Sequence, residues 1–328
     1  MDNFISHTNF CYTRIILFSW TCLSAPTILS ESNGEYFIQR ITDNLGRNVD
    51  NVIVNCNGVE DIDDRFIVPV INFLKYTKKT FIFFSNDNKA KLINHLERKV
   101  KGISNLKCFH DGDTKSFCLD NSELTSQTVM SYIRDALDLE NVWLAKQIKK
   151  TYRKYEKVQR LSSTPLLATG EFNASKILSD PYKYKWVVSC LAESINSILQ
   201  VEKPHSYTII AASLRGAAIA GAIWELLYFS NKGSLHIVDH MGPRHDLLEL
   251  PKHQDKINST YCIYVGDFMI GGTEAKIVNS YCNFLGGKLR HAFVIGKYIR
   301  EDNLGRDLRL HSLVNLQDCI ENLSYSLG

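Results

Sequence analysis

Short apolar runs alternate with stretches of helical period along most of this chain, and the alternation predicts its elements. Residues 34–45 place Tyr36, Phe37, Ile41 and Leu45 at helical spacing. Residues 51–56 form an apolar run that Gly58 closes, which reads as a strand. Residues 65–76 keep Phe66, Val70, Phe73 and Leu74 on one helical face, with Asp63 or Asp64 as the cap. A second strand is expected at 80–84. A further helix is expected at 86–97, burying Leu92, Ile93 and Leu96. Strand, helix, strand, helix with short connections predicts a small parallel or mixed sheet, so residues 1–105 are expected to be a small α/β domain. The apolar residues 15–23 follow Arg14, but Ser19, Trp20 and Thr21 interrupt them and Asp2 precedes them. They predict an N-terminal strand rather than a secretory leader.

Residues 106–163 read as a connector. Residues 108–121 are polar, with Gly112, Ser116 and Asp120, and predict a surface loop or an irregular hairpin. Ser122 or Thr125 caps an expected helix through Val129, Ile133 and Leu137. A second helical run is expected to carry Val142, Leu144, Ile148, Tyr152 and Tyr155 on one side. Its other side carries Lys146, Lys149, Lys150, Arg153, Lys154, Lys157 and Arg160. A basic face with interleaved tyrosines is one way to hold nucleic acid. Such a face is more often simply solvated, and no base-reading motif accompanies it.

In residues 164–328 the pattern returns to strand, turn and helix. A short polar strand around 168–172 precedes Ser179-Asp180-Pro181, where Asp180 is the expected cap and Pro181 the first helical residue. The helix that follows turns Val187, Val188, Leu191, Ile195 and Ile198 inward. Strands are expected at 207–212, 234–238, 261–265 and 290–295, with helices at 218–228 and 273–285. A last strand, from His311, is expected to lead into a final short helix.

Composition changes this picture little. The chain has 328 residues, 45% of them hydrophobic and 22% charged, as in ordinary globular proteins of about two domains. A formal net charge of +3 is too small to imply a nucleic-acid partner by itself. Nine cysteines without a Cys-x-x-Cys pair or metal-ligand spacing read as reduced thiols of a cytoplasmic protein. No run approaches the roughly 20 apolar residues of a membrane span.

The candidate chemistry gathers at residues 261–285. A buried strand ends near Asp267, Gly271-Gly272-Thr273 make a tight turn, and Thr273 starts a helix. Amides at a helix start face an anion, glycine lets a phosphate approach the backbone, and a nearby acid can hold ribose hydroxyls. Neither a dinucleotide fingerprint nor a Walker A loop is present. Upstream, Ser213-Leu214-Arg215-Gly216-Ala217 follows another buried strand, a small-residue turn with a guanidinium suited to a diphosphate.

These segments resemble type I phosphoribosyltransferases. Residues 261–273 resemble the family's phosphoribosyl-diphosphate loop, with Gly266 in place of the first of two acids. Residues 213–217 resemble its pyrophosphate loop, with Ala217 in place of a second glycine. Residues 168–181 look like the N-terminal region of orotate phosphoribosyltransferases. The resemblance implies a parallel α/β sheet for residues 164–328 that binds phosphoribosyl diphosphate or a nucleotide and transfers phosphoribosyl to an orotate-type base. It implies that Asp267, Ile270, Gly271, Gly272 and Thr273 hold ribose and 5′-phosphate. Ser213, Arg215 and Gly216 would hold diphosphate with Mg²⁺, and Ser175 and Lys176 would lie on the base side. A mobile loop over residues 239–255 would supply Arg244 or Lys252, with His245 and His253 as further candidates. A homodimer is compatible with it. The missing acid at Gly266 leaves a second reading open: a catalytically impaired nucleotide-sensing regulator or defence effector acting through a partner. Residues 54–66 also resemble the loop-to-helix start of STAS domains, with Asp64 at the position of their serine.

Overall fold

A computed structural model describes residues 5–11, 15–21, 28–45, 51–56, 59, 61–77, 79–85, 98, 106–111, 114–119, 124–160, 166–227, 232–238, 257, 261–298, 307–317 and 325–327. The chain forms two compact units, Met1–Trp143 and Leu144–Gly328.

In the first unit, β1 (Ile5–Cys11) and β2 (Ile15–Thr21) form an antiparallel hairpin. A short parallel pair joins β3 (Ile28–Leu29) to β5 (Asp61–Ile62). Helix α1 (Glu31–Leu45) begins three residues earlier than the apolar spacing implies. The reason is Ser30: the Asn33 side chain accepts its amide at 2.8 Å, while the Asn33 and Gly34 amides donate to its carbonyl. Strand β4 (Asn51–Asn55) and helix α2 (Asp64–Tyr76) follow, with Asp63 as the cap accepting from the Arg65 amide at 2.9 Å. Strand β6 (Thr80–Ser85) is next. Strands β7 (Leu106–Asp111) and β8 (Thr114–Leu119) then make a regular antiparallel hairpin in the segment read as loop or irregular hairpin. The sheet order is β1-β2-β4-β6-β8-β7, parallel only across β2, β4 and β6. Phe37, Phe66, Val70, Phe81 and Phe83 pack in one apolar cluster, and Ile53, Ile82, Phe84, Val129 and Ile133 in another. The expected helix over 86–97 lies outside the described residues.

Helix α3 (Ser126–Lys149) contains the division between the units. The segment expected to be a connector is thus shared: its hairpin belongs to the first unit, and the strand after α3 to the second. That strand is a correction. Residues Tyr152–Arg160 are β9, not a continued helix. The Tyr-Arg-Lys-Tyr-Glu-Lys-Val-Gln-Arg run lacks a strong helical apolar stripe. Its main-chain groups find a partner in β10 (Leu166–Phe172), from Phe172 opposite Tyr152 to Leu167 opposite Arg160. Val158 is 59% exposed, and the basic side chains project from a sheet edge, not from a helix.

The second unit is built on a five-stranded sheet, every pair of it parallel. After β10 come a single-turn helix α4 (Ser175–Leu178) and α5 (Pro181–Glu202). Asp180 accepts the Lys183 amide at 3.3 Å and Pro181 opens α5, as the sequence predicts. Then follow β11 (Tyr207–Ala211), α6 (Leu214–Leu227), β12 (Gly233–Ile237), β13 (Tyr261–Met269), α7 (Thr273–Phe284), β14 (Lys288–Lys297) and β15 (Arg309–Asn315). A last strand, β16 (Tyr325–Leu327), pairs with β10, and the expected final helix lies outside the described residues. The sheet order is β12-β11-β13-β14-β15. Ile210, Cys262, Tyr264, Val294 and Leu310 pack with Ala275, Val278 and Cys282 of α7. Ile209, Ile263, Val265, Phe293 and Ile295 alternate with them and are buried too. Both faces are therefore covered, as a parallel sheet requires.

A polar cluster closes the amino ends of these strands. Glu202 Oε2 accepts the Tyr261 hydroxyl at 2.8 Å, and Oε1 lies 3.2 Å from His291 Nε2 and 3.1 Å from Arg309 Nη1. His291 Nδ1 is hydrogen-bonded to His311 Nε2 at 2.9 Å. Burial holds the imidazole of His291, only 1% exposed, below the usual histidine range despite Glu202. A histidine depressed in the folded state contributes stability above the unfolded pKa and loses it as pH falls. Thermal melts are therefore expected to decline below about pH 6.5, and His291→Gln to flatten that decline between pH 8 and 5.5.

Candidate functional site

The strand order reverses between β11 and β13. The chain leaves β11 towards β12, then crosses back to β13, so the loops after β11 and β13 part at the carboxyl ends of the strands. A cleft of about 520 Å³ lies there, lined by residues 213–215, by Tyr264 and 267–274, and by 171–173 with Ser175.

The corner after β13 is set by its glycines. The strand runs four residues further than the apolar run suggests, pairing Phe268 with Gly296 and Met269 with Lys297, so Asp267 stands within the ladder. Gly272 adopts φ 72°, the left-handed region where an L side chain is strained, and is the cap of α7. Thr273 is the first helical residue rather than the cap. Among the described residues, no protein acceptor takes the amides of Ile270, Gly271, Gly272 or Thr273. They line the cleft at the positive end of a 12-residue helix, which is how a protein holds an anion.

The loop after β11 is shorter than expected, because α6 begins at Leu214. Ser213 is its cap: its hydroxyl accepts the Gly216 amide at 3.1 Å and its carbonyl the Ala217 amide at 2.7 Å. The Gly216 amide, expected to hold diphosphate, is thus taken by the Ser213 hydroxyl in this structure. Gly216 is buried outside the cleft lining, and a Cβ there would meet Val265 O and Ser213 Oγ at 3.0 Å. Its glycine lets α6 approach β13. Arg215 does reach the cleft, where its Nη1 lies 3.2 Å from Asp267 Oδ2. Asp267 Oδ1 accepts the Phe268 amide at 2.7 Å.

Two residues unforeseen in the sequence complete this wall. A Cβ at Gly266 would lie 2.8 Å from Cζ of Tyr264 and collide with its hydroxyl, so the tyrosine fills the space a side chain at 266 would need. The Tyr264 hydroxyl is hydrogen-bonded to Glu274 in the first turn of α7. Burial first, and the neighbouring Asp267 charge after it, hold the Glu274 carboxyl above the usual range; the Tyr264 bond opposes this. Its Oε1 is buried with no hydrogen-bond partner. An acid raised in the folded state is stabilising below its unfolded pKa and loses that contribution as pH rises. Glu274→Gln is therefore expected to raise the melting temperature at pH 8, with the gain shrinking as pH falls towards about 4.5.

On the opposite wall, β10 delivers Glu171, Phe172 and Asn173. Phe172 sits between Tyr152 and Phe268, with ring centroids 5.1 and 5.3 Å away. Ser175 lines the cleft, its amide donating to Asn173 Oδ1 at 3.0 Å, whereas Lys176 is exposed outside the lining. Arg244, His245, Lys252 and His253 lie outside the described residues. Glu171, Phe172, Asn173, Tyr264, Phe268 and Glu274 escaped sequence reasoning. Of these, only Glu274 carried a signal, an acid in the first turn beside the glycine corner.

No family model and no curated protein matches the chain. Among solved structures it is similar to orotate phosphoribosyltransferase from Aeropyrum pernix, at 17% identity and TM-score 0.38, over 54% of this chain and 97% of that one. It is similar to adenine phosphoribosyltransferase from Leishmania donovani at 15% identity and TM-score 0.38, over 54% of this chain and 81% of that one. A third likeness is to the Trypanosoma brucei adenine enzyme solved with AMP, pyrophosphate and ribose-5-phosphate, at 14% identity and TM-score 0.38, over 53% and 80% of the two chains. None of these supports a STAS-like first unit. At such identities and scores the matches carry no weight for function, which rests on the chain's own cleft.

Proposed function

We propose that the second unit binds phosphoribosyl diphosphate or a nucleotide in this cleft and transfers phosphoribosyl to a nitrogenous base. The observation that carries the reading is the run of unclaimed amides from Ile270 to Thr273 beside Asp267, at the switch point of a parallel sheet. Those amides and the Thr273 hydroxyl would hold the 5′-phosphate, Asp267 the ribose hydroxyls, and Arg215 with Ser213 the diphosphate. In the transfer, the C1–O bond to diphosphate breaks as a C1–N bond to the base forms, and the nitrogen's proton leaves to solvent. Positive charge gathers on the ribose ring, so positioning and a nearby carboxylate matter more than a covalent nucleophile.

The cleft lining offers carboxylate, hydroxyl and carbonyl oxygens and no thiol or imidazole among its described residues, a donor set that fits Mg²⁺. Asp267 would help hold the ion against the diphosphate, where it would neutralise charge on the leaving group. An orotate-type anionic base is less well served than a neutral one. Glu171, Asp267 and Glu274 oppose the single guanidinium of Arg215 among the described lining residues, and Lys176 lies outside it.

A second reading, a nucleotide sensor without turnover, is favoured by Tyr264 filling the place of an acid at position 266. One assay separates the two. The chain is incubated with phosphoribosyl diphosphate, Mg²⁺ and a panel of bases, and diphosphate release is followed. Base-dependent release is the expected result. Saturable binding without release would leave the sensor, and absence of binding would end both.

A further inference from the structure

We propose that residues 146–160 form a docking surface for the phosphate backbone of a nucleic acid. The inference goes beyond the proposed function and does not depend on it. This stretch, the end of α3 and all of β9, carries seven lysines and arginines and one acid, Glu156, and every one of the cations is exposed. Its charge of +6 exceeds the chain's net +3, so acids outnumber cations in the remainder. Among the described residues, no ion pair engages Lys149, Lys150, Lys154, Lys157 or Arg160.

Two ordinary uses cover parts of this run. Cations in the last turn of α3 meet its negative end, and lysines on an edge strand discourage pairing with other strands. Neither use requires that acids be left out, and surface charge is ordinarily mixed. The two parts are also joined by a fixed turn. The Thr151 hydroxyl and amide both donate to the Ile148 carbonyl, at 2.7 and 2.9 Å, and the Thr151 carbonyl accepts the Asn173 amide at 3.1 Å. From that turn the cations follow a line, since the nine residues of β9 span up to about 30 Å of extended chain. A line suits a linear polyanion better than it suits the plane of a bilayer. An added strand fits less well, because the register of β9 with β10 breaks between Lys154 and Gln159 and interrupts the open edge. The interleaved tyrosines are already engaged: Tyr152 packs on Phe172, and the Tyr155 hydroxyl is hydrogen-bonded to Glu171. Contact is thus through phosphates rather than stacked bases, and it carries no sequence preference.

Fluorescence anisotropy of a labelled oligonucleotide of about 20 nucleotides, single-stranded and as a duplex, tests this on the full chain. The triple variant Lys154→Glu, Lys157→Glu, Arg160→Glu is compared with an equal charge reversal at three other exposed lysines, Lys185→Glu, Lys203→Glu, Lys232→Glu. The first is expected to weaken binding about tenfold or more, and to make the fall of log K with log salt shallower by about two to three. The second is expected to keep the salt slope of the unaltered chain. An equal loss of slope in both variants would assign binding to overall charge and overturn the inference, as would absence of binding by the unaltered chain. Equal or tighter binding to polyglutamate, or to vesicles of phosphatidylcholine and phosphatidylserine in equal parts, would also overturn it. The substituted side chains are exposed, so melting temperatures should hold. If the reversal lowers the melting temperature, neutralising the same three positions to glutamine makes the comparison, and an unchanged salt slope there overturns the inference equally.

Discussion

Asp267→Asn is expected to lower base-dependent diphosphate release by about 10²- to 10³-fold, the usual cost of removing one group aimed at transition-state charge. The substitution keeps the side chain's size and its hydrogen bond with the Phe268 amide, so the cleft should hold its shape. What it removes is the negative charge beside the proposed ribose position and half of the ion pair with Arg215. That pair is partly exposed, at 43% for Arg215 and 18% for Asp267, so its loss should cost no more than about 1 kcal/mol of stability. Steady-state kinetics and a thermal melt on the same sample make the comparison. Equal release by Asp267→Asn and the unaltered chain would remove Asp267 from the chemistry.

Gly266→Asp is expected to damage the fold rather than supply a second acid to the cleft. Its Cβ would meet Cζ and Cε1 of Tyr264 at 2.8 and 3.0 Å, inside a buried strand whose neighbours on both sides are paired. Overpacking of this kind costs about 1–3 kcal/mol. A carboxylate forced in beside Asp267 and Glu274 adds an uncompensated buried charge, worth about 3–5 kcal/mol more. Against a total stability of about 5–15 kcal/mol, that is enough to unfold much of the second unit at 37 °C. Thermal denaturation measures it. Trimming the ring, in Tyr264→Ala with Gly266→Asp, should recover part of the loss. An undiminished melting temperature for the single variant would mean that Tyr264 can swing away.

The sheet was legible because its strands are apolar on both faces: 207–212, 261–265 and 290–295 announce themselves by hydrophobicity alone. Asp180 with Pro181 gave the start of α5 by chemistry that needs no tertiary context. Tyr152–Arg160 was misread because an edge strand with a solvated basic face has the same composition as a solvated helix; only its pairing with β10 decides, and pairing is non-local. Gly216 illustrates the converse. A glycine after a strand and beside an arginine suggests an anion loop, but the hydroxyl three residues back had already claimed its amide. In the cleft, the Asp267 and glycine-corner residues could be picked from sequence because backbone chemistry fixes them. Tyr264, Glu171 and Phe172 could not, since they meet only when separate strands are folded side by side.

The contact between Arg215 and Asp267 ties the two halves of the cleft together. While it lasts, each charge quiets the other, and neither is fully available to a guest. If the cleft takes the proposed ligand, an anion that draws the guanidinium away would leave Asp267 without its counterion and freer to meet a hydroxyl or a metal ion. Occupation of one end would then favour the other with no movement of the backbone.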